Sequence, residues 1–140
     1  MDRRDFLKGS AALGATMIVR QRPAPVRFGV IGMDHSHVNN LVDAMLRAGG
    51  DLVWAFAGQP DQLAAFQQRF SQAKAARTEA EILEDTSIDL VLSAGIPSER
   101  GPLAVRVMQH GKDFLVDKPG VTTLEQLAEL RRVQAQTRRI

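Results

Sequence analysis

Cysteine is absent from all 140 residues. Neither a disulfide framework nor a thiolate zinc centre is therefore open to this chain. A real excess of charge is missing too, once the N-terminus is set aside. The formal net charge is +2, but residues 1–22 hold Arg3, Arg4, Lys8, Arg20 and Arg22 against Asp2 and Asp5, and the remainder carries 13 basic and 14 acidic side chains. A body so nearly neutral excludes nucleic acid as an expected partner. Nor is there a membrane-spanning run. The apolar stretch Gly9 to Val19 has 11 residues, and at about 1.5 Å per residue it falls well short of ~30 Å of hydrocarbon.

What that stretch does suit is the apolar region of an export signal. MDRRDFLKGSAALGATMIV joins Arg3-Arg4 to Phe6-Leu7-Lys8 and the short run. The RRxFLK pattern resembles twin-arginine translocation signals. The resemblance implies a periplasmic or otherwise exported protein, the twin-arginine machinery as a partner, and no stable membrane span. Such signals serve proteins that leave already folded, often with a cofactor in place. Residues 1–25, closed by the proline-containing RQRPAP, are read as signal and linker, and residues 26–140 as the folded domain.

Within that domain, strand and helix patterns alternate. VRFGVIG reads as a short buried strand ending at Gly32. Val38, Leu41, Val42, Met45 and Leu46 mark one helical face, closed by Gly49-Gly50. LVWAFA is an apolar run of the kind a strand covered on both faces requires. Pro60 suits the first position of a helix carrying Leu63, Ala64, Phe66 and Phe70. Thr78 and Glu81 have capping-box spacing. IDLVLSA is a third strand, Leu103, Ala104, Val107 and Met108 give a helix face stopped by Gly111, and DFLVD is a fourth strand. Thr122 with Glu125 is expected to cap a final helix through Leu127 and Leu130. Four strands and alternating helices predict a Rossmann-like, doubly wound parallel sheet in three layers, α/β/α.

In such a sheet ligands bind beyond the carboxyl ends of the strands, where Gly32, Met33, Asp34, His35 and Ser36 fall. Backbone N–H groups at a helix start, with its dipole, hold a pyrophosphate in G-x-G-x-x-G loops. Here only Gly32 remains; Asp34 and His37 stand where the second and third glycines would be. Asp34 is expected to repel phosphate unless it turns away, and His37 to push the helix outward. The acid that should close the second strand is also missing. Asp51 begins that strand, the slot falls near Gly58, and Asp61 sits more simply in the first turn of a helix. No basic residue beside Gly58 is placed to clamp a 2′-phosphate, so NAD and NADP are both left open.

His35 and His37 form a His-x-His pair, but a metal site needs a third ligand. The remaining histidine, His110, ends a helix and most simply meets its dipole. No metal is expected.

The later part of the chain carries a more specific signal. LVLSAGIPSERGPLAVRVMQHGKDFLVDKP, with VIG near the start, resembles the N-terminal domain of the Gfo/Idh/MocA oxidoreductases across residues 26–140. The resemblance implies an NAD- or NADP-binding Rossmann domain, followed in that family by an α+β substrate domain that this sequence does not contain. Lys118 matches the family's lysine, which contacts the nicotinamide ribose and the substrate hydroxyl, and so carries the expected catalytic role. Asp117 stands for a glutamate one methylene longer, and Pro119 matches. Ala94, Gly95 and Pro97 replace the family's A-T-P run at the cofactor. Arg100 stands where a histidine is usual.

These matches lead to the expectation of a partial chain. It would be the nucleotide-binding half of an exported oxidoreductase acting on a sugar or polyol hydroxyl, inactive alone. Two alternatives accompany it. One is an NAD-dependent glycoside hydrolase of the same family; the other is a secreted binding module that has lost the cofactor.

Overall fold

The computed structural model describes residues 24–140; the export signal and most of the linker lie outside them. Ten elements alternate along the chain. They are β1 (Arg27–Ile31), α1 (His37–Arg47), β2 (Asp51–Phe56), α2 (Pro60–Arg69), β3 (Lys74–Ala75), α3 (Glu79–Leu83), β4 (Leu90–Ser93), α4 (Pro97–Gln109), β5 (Asp113–Val116) and α5 (Leu124–Thr137). All strand pairs are parallel, in the order β3-β2-β1-β4-β5. The order reverses between β1 and β4, and the loops leaving those two strands open a crevice there.

Five strands stand where four were expected. The extra one, β3, is two exposed residues pairing with Trp54 and Ala55 at the sheet edge. A strand that short has no periodicity to read.

Burial explains the doubly wound form. On one face Phe28, Val30, Leu52 and Leu92 meet Val38 and Val42 of α1 and Phe66 of α2. On the other, Ile31 and Val91 meet Ile82 and Leu83 of α3 and Leu103 and Val107 of α4. Neighbouring strand residues thus enter different cores, which is why β1 and β4 read as unbroken apolar runs. Ala64 departs from its expected place in α2 and is exposed, while Phe66 and Phe70 are buried.

Local caps mostly follow the sequence. Thr78 Oγ1 accepts the Glu81 N–H, and Glu81 in turn accepts from the Arg77 N–H. The last helix is capped one residue later than expected, by Thr123, whose Oγ1 accepts from the Gln126 N–H. Thr122 instead donates its N–H to Gln126 Oε1 at 2.9 Å. The same glutamine makes good a defect in α4. Pro102 has no N–H for the carbonyl of Ser98, and Gln126 Nε2 donates to that carbonyl at 2.9 Å. The close approach requires Gly101, where a Cβ would stand 3.0 Å from Gln126 Oε1.

At the opposite end of the sheet from the crevice, Asp85 accepts from Trp54 Nε1 at 2.8 Å and from the Ser87 hydroxyl at 2.6 Å and N–H at 2.9 Å. The Ser87 hydroxyl, then Trp54 and the Ser87 N–H, lower its pKa from 3.8 to about 2. The folded value lies below the unfolded one, so the ionised form favours the fold. Its stabilisation is complete above the unfolded pKa and fades as pH falls toward 2. Asp85→Ala is expected to cost about 1–2 kcal/mol at pH 7, discounted for partial exposure. Urea unfolding followed at Trp54 should show that gap narrowing near pH 3. An equal gap at both pH values would contradict it.

Candidate functional site: the crevice beyond β1, β4 and β5

The β1–α1 and β4–α4 loops lean on each other at the switch point. Gly32 has φ +81, and a Cβ there would stand 3.0 Å from Gly95 Cα. A left-handed turn and a backbone-to-backbone contact both demand glycine here. The Ala94 N–H donates to the Gly32 carbonyl (3.1 Å) and the His35 N–H to the Ala94 carbonyl (2.9 Å). The Gly95 N–H donates to Ser93 Oγ at 3.2 Å.

The start of α1 turns several donors onto its own loop. The His37 N–H points at His35 Nδ1 (3.3 Å), Val38 N–H donates to the His35 carbonyl, and Asn39 N–H to the Ser36 carbonyl. Ser36 is the N-cap residue but makes no side-chain capping bond. Met33 is buried in the core, so only its main chain is left for a ligand. His37 does not unseat the helix, because Val38 and Val42 remain buried.

Between these loops and α2 lies a cleft of about 320 Å³, within the range of small-molecule sites. Phe56, Ile96 and Leu103 give it apolar wall, and Gly58 lies at its edge. A Cβ added at Gly58 would meet nothing within 4 Å, so the end of β2 is open. Asp34 is exposed at the wall and accepts from Gln62 Nε2 at 3.3 Å. Pro97 is the first residue of α4, beside Ile96, which is 46% exposed.

The β5 end is organised by Arg100, only 2% exposed. Its Nε donates to the Gly95 carbonyl at 2.7 Å. Nη1 donates to the carbonyls of Asp117 (3.0 Å) and Lys118 (2.6 Å), with a longer bond to Pro119 (3.3 Å). Nη2 lies 3.6 Å from Asp117 Oδ2. One guanidinium thus fixes the turn from which Lys118 projects, exposed, and ties it to the β4 loop. The Lys118–Pro119 peptide bond is cis.

Asp117 also meets His37, whose Nδ1 lies 3.1 Å from each carboxylate oxygen. A carboxylate only accepts, so Nδ1 carries the proton. Burial alone would raise the Asp117 pKa. The His37 hydrogen bond, the Lys118 N–H and the charges of His37 and Arg100 outweigh it and hold the carboxyl below its ordinary value.

Of the expected residues, Gly32, Asp34 and Gly95 line the cleft, and Asp117 is tied to the β1–α1 loop through His37. Ser36 borders a separate groove beside α2, His35 and Lys118 are exposed, and Ala94 and Met33 are buried as packing. Two features escaped the sequence. Arg100 looked like a lost histidine, and its carbonyl partners leave no mark in the sequence. His37 and Asp117 lie 80 positions apart.

A parallel sheet in this order, with a loop-walled cleft beyond its carboxyl ends, is a nucleotide-binding α/β domain. Residues 26–140 match the oxidoreductase family with NAD-binding Rossmann fold, Gfo/Idh/MocA, and the chain belongs to that family. Residues 1–19 match the twin-arginine translocation pathway signal sequence, which marks the protein for export. Among the described residues no helix is long and apolar enough to cross a membrane. A search of curated proteins gave no match. Among solved structures, a protein described as an oxidoreductase from Erwinia carotovora atroseptica SCRI1043 is 38% identical, with TM-score 0.79 over 81% of this chain and 34% of that one. The WlbA dehydrogenase of Bordetella pertussis, in complex with NADH and UDP-GlcNAcA, is 21% identical, with TM-score 0.73 over 81% and 35%. Biliverdin reductase of Synechocystis sp. PCC 6803, in complex with biliverdin and NADP+, is 23% identical, with TM-score 0.71 over 83% and 36%. The last two show the fold alone. The chain spans about a third of the length of these proteins.

The residues fit a nucleotide unevenly. The apolar wall and the open edge at Gly58 suit its nucleoside end. The inward-turned donors and the Asp34 carboxylate make a sparser pyrophosphate cradle than a three-glycine loop provides.

Proposed function

We propose that this domain is the cofactor-binding half of an exported oxidoreductase acting on a hydroxyl-bearing carbon of a sugar or polyol. The observation that carries this reading is Lys118, set at the end of β5 by the Arg100 clamp beside the dinucleotide loop. NAD or NADP, when bound, supplies the hydride acceptor or donor. Phe56, Gly58 and Ile96 would hold its nucleoside, Gly32, Asp34 and Ser36 would flank its phosphates, and Gly95 and Pro97 would line its path toward β5.

Oxidising a carbinol removes a hydride from carbon and a proton from the hydroxyl. Lys118 Nζ would hold that oxygen and pass its proton on. Asp117 does not act on substrate in this scheme; pinned by Arg100 and His37, it steadies the turn. The substrate domain would supply the remaining contacts. A version of the protein carrying that domain is expected to change nicotinamide absorbance when given its sugar or polyol. Glycoside cleavage without net cofactor reduction would point to the hydrolase variant instead.

A second reading, a binding module without cofactor, is favoured by one observation: the Asp34 carboxylate at the cleft wall. Asp34→Gly restores the second glycine and removes one negative charge. On the oxidoreductase reading it is expected to tighten NADH binding by roughly tenfold, on the order of one charge–charge contact near a surface. Loss of binding in the variant would mean the carboxylate itself holds a nucleotide hydroxyl.

A further inference from the structure

We propose that His35, His37 and Asp117 bind a divalent transition-metal cation at the mouth of the crevice. The sequence offered only the His-x-His pair. The fold supplies the acid, because the β1–α1 loop and the end of β5 lie on the same side of the switch point. One ligand atom from each of the three residues lies within 4.8 Å of the others.

The distances suit coordination. His37 Nδ1 stands 3.1 Å from either oxygen of Asp117. Two donor atoms each ~2.1 Å from one ion stand about 3.0–3.4 Å apart, depending on whether the site is octahedral or tetrahedral. Exchanging the shared proton for a cation thus leaves this pair almost where it is. His35 completes the set by a turn of its ring. It is exposed, its ring centroid is 4.1 Å from that of His37, and among the described residues its Nδ1 is held by one long contact at 3.3 Å.

The surroundings prepare the carboxylate. Asp117 has 11% of its side chain exposed, and Arg100 faces Oδ2 at 3.6 Å, leaving Oδ1 for the ion. Metal-binding carboxylates are commonly held by such an outer partner. The charge of Arg100 opposes a cation, but its Nε and Nη1 N–H groups are already directed at four backbone carbonyls, those of Gly95, Asp117, Lys118 and Pro119. Two imidazoles and one carboxylate form the donor set of catalytic zinc and of non-haem iron sites. Three protein ligands leave a position for water or for an oxygen of a bound molecule. This inference does not depend on the nicotinamide reading. The changed loop that weakens a pyrophosphate cradle is the one that supplies both imidazoles.

Zinc chloride titrated calorimetrically into the purified, chelator-stripped chain tests it, with Co²⁺ absorption as a second readout. The expected result is one ion per chain. Affinity should fall roughly tenfold or more in His35→Asn and in His37→Asn, as loss of a metal partner does, and stay unchanged in His110→Asn. His35 is exposed, so its variant should keep the wild-type circular dichroism even if the His37 variant does not. Absence of saturable zinc binding, or equal affinity in wild type and His35→Asn, would overturn the proposal.

Discussion

Replacing Arg100 by methionine is expected to lower stability by about 3–5 kcal/mol, the range for breaking a buried charged network by removing one partner. The side chain is 2% exposed. Its loss would strand the carbonyls of Gly95, Asp117 and Lys118 and leave the Asp117 carboxylate with His37 and the Lys118 N–H as partners. Each stranded group adds a desolvation cost of about 1–3 kcal/mol unless water enters. Arg100→Lys should recover little, since an ammonium cannot reach two loops at once as the fork does. Urea unfolding of both variants measures this. A loss below about 1 kcal/mol, the value of one ordinary hydrogen bond, would show that the clamp is not what holds the turn.

The second large effect concerns chemistry. In a protein carrying the substrate domain, Lys118→Ala is expected to reduce kcat by roughly 10²–10⁴-fold, the usual contribution of a positioned acid–base group. Lys118 is exposed, and the turn is held through its carbonyl rather than its side chain. The fold should therefore change little. Unchanged kcat in the alanine variant would remove Lys118 from the reaction. Loss of the fold would show instead that the side chain is structural.

Most of the architecture was legible because its strands are apolar on both faces and its helices carry one buried stripe. β1, β2, β4 and β5 announced themselves in this way, as did α1 and α4. β3 did not, since two exposed residues at an edge carry no pattern. Thr122 and Thr123 offered equivalent hydroxyls, and only the geometry of Gln126 chose between them. Ala64 is small enough to sit on either side of α2.

The site was legible in its motif and obscure in its contacts. Gly32 could be named from its place at the end of the first strand, and Lys118 only from the resemblance of LVDKP to the Gfo/Idh/MocA family. Arg100 could be named only as a departure, because its partners are main-chain carbonyls that any residue supplies. The meeting of His37 with Asp117 depends on strand order, with β1 and β5 separated by β4 alone. Residues read as a lost glycine and a shortened acid turn out to face each other.

The altered β1–α1 loop is expected still to belong to a dinucleotide site. The most direct test is to titrate the purified chain with NADH and with NADPH, following nicotinamide fluorescence and calorimetric heat. Saturable binding of at least one of them, one per chain, is expected, with the circular dichroism of a folded α/β domain. A folded chain that leaves both cofactors unperturbed up to roughly millimolar concentration, a binding energy of less than about 4 kcal/mol, would contradict it.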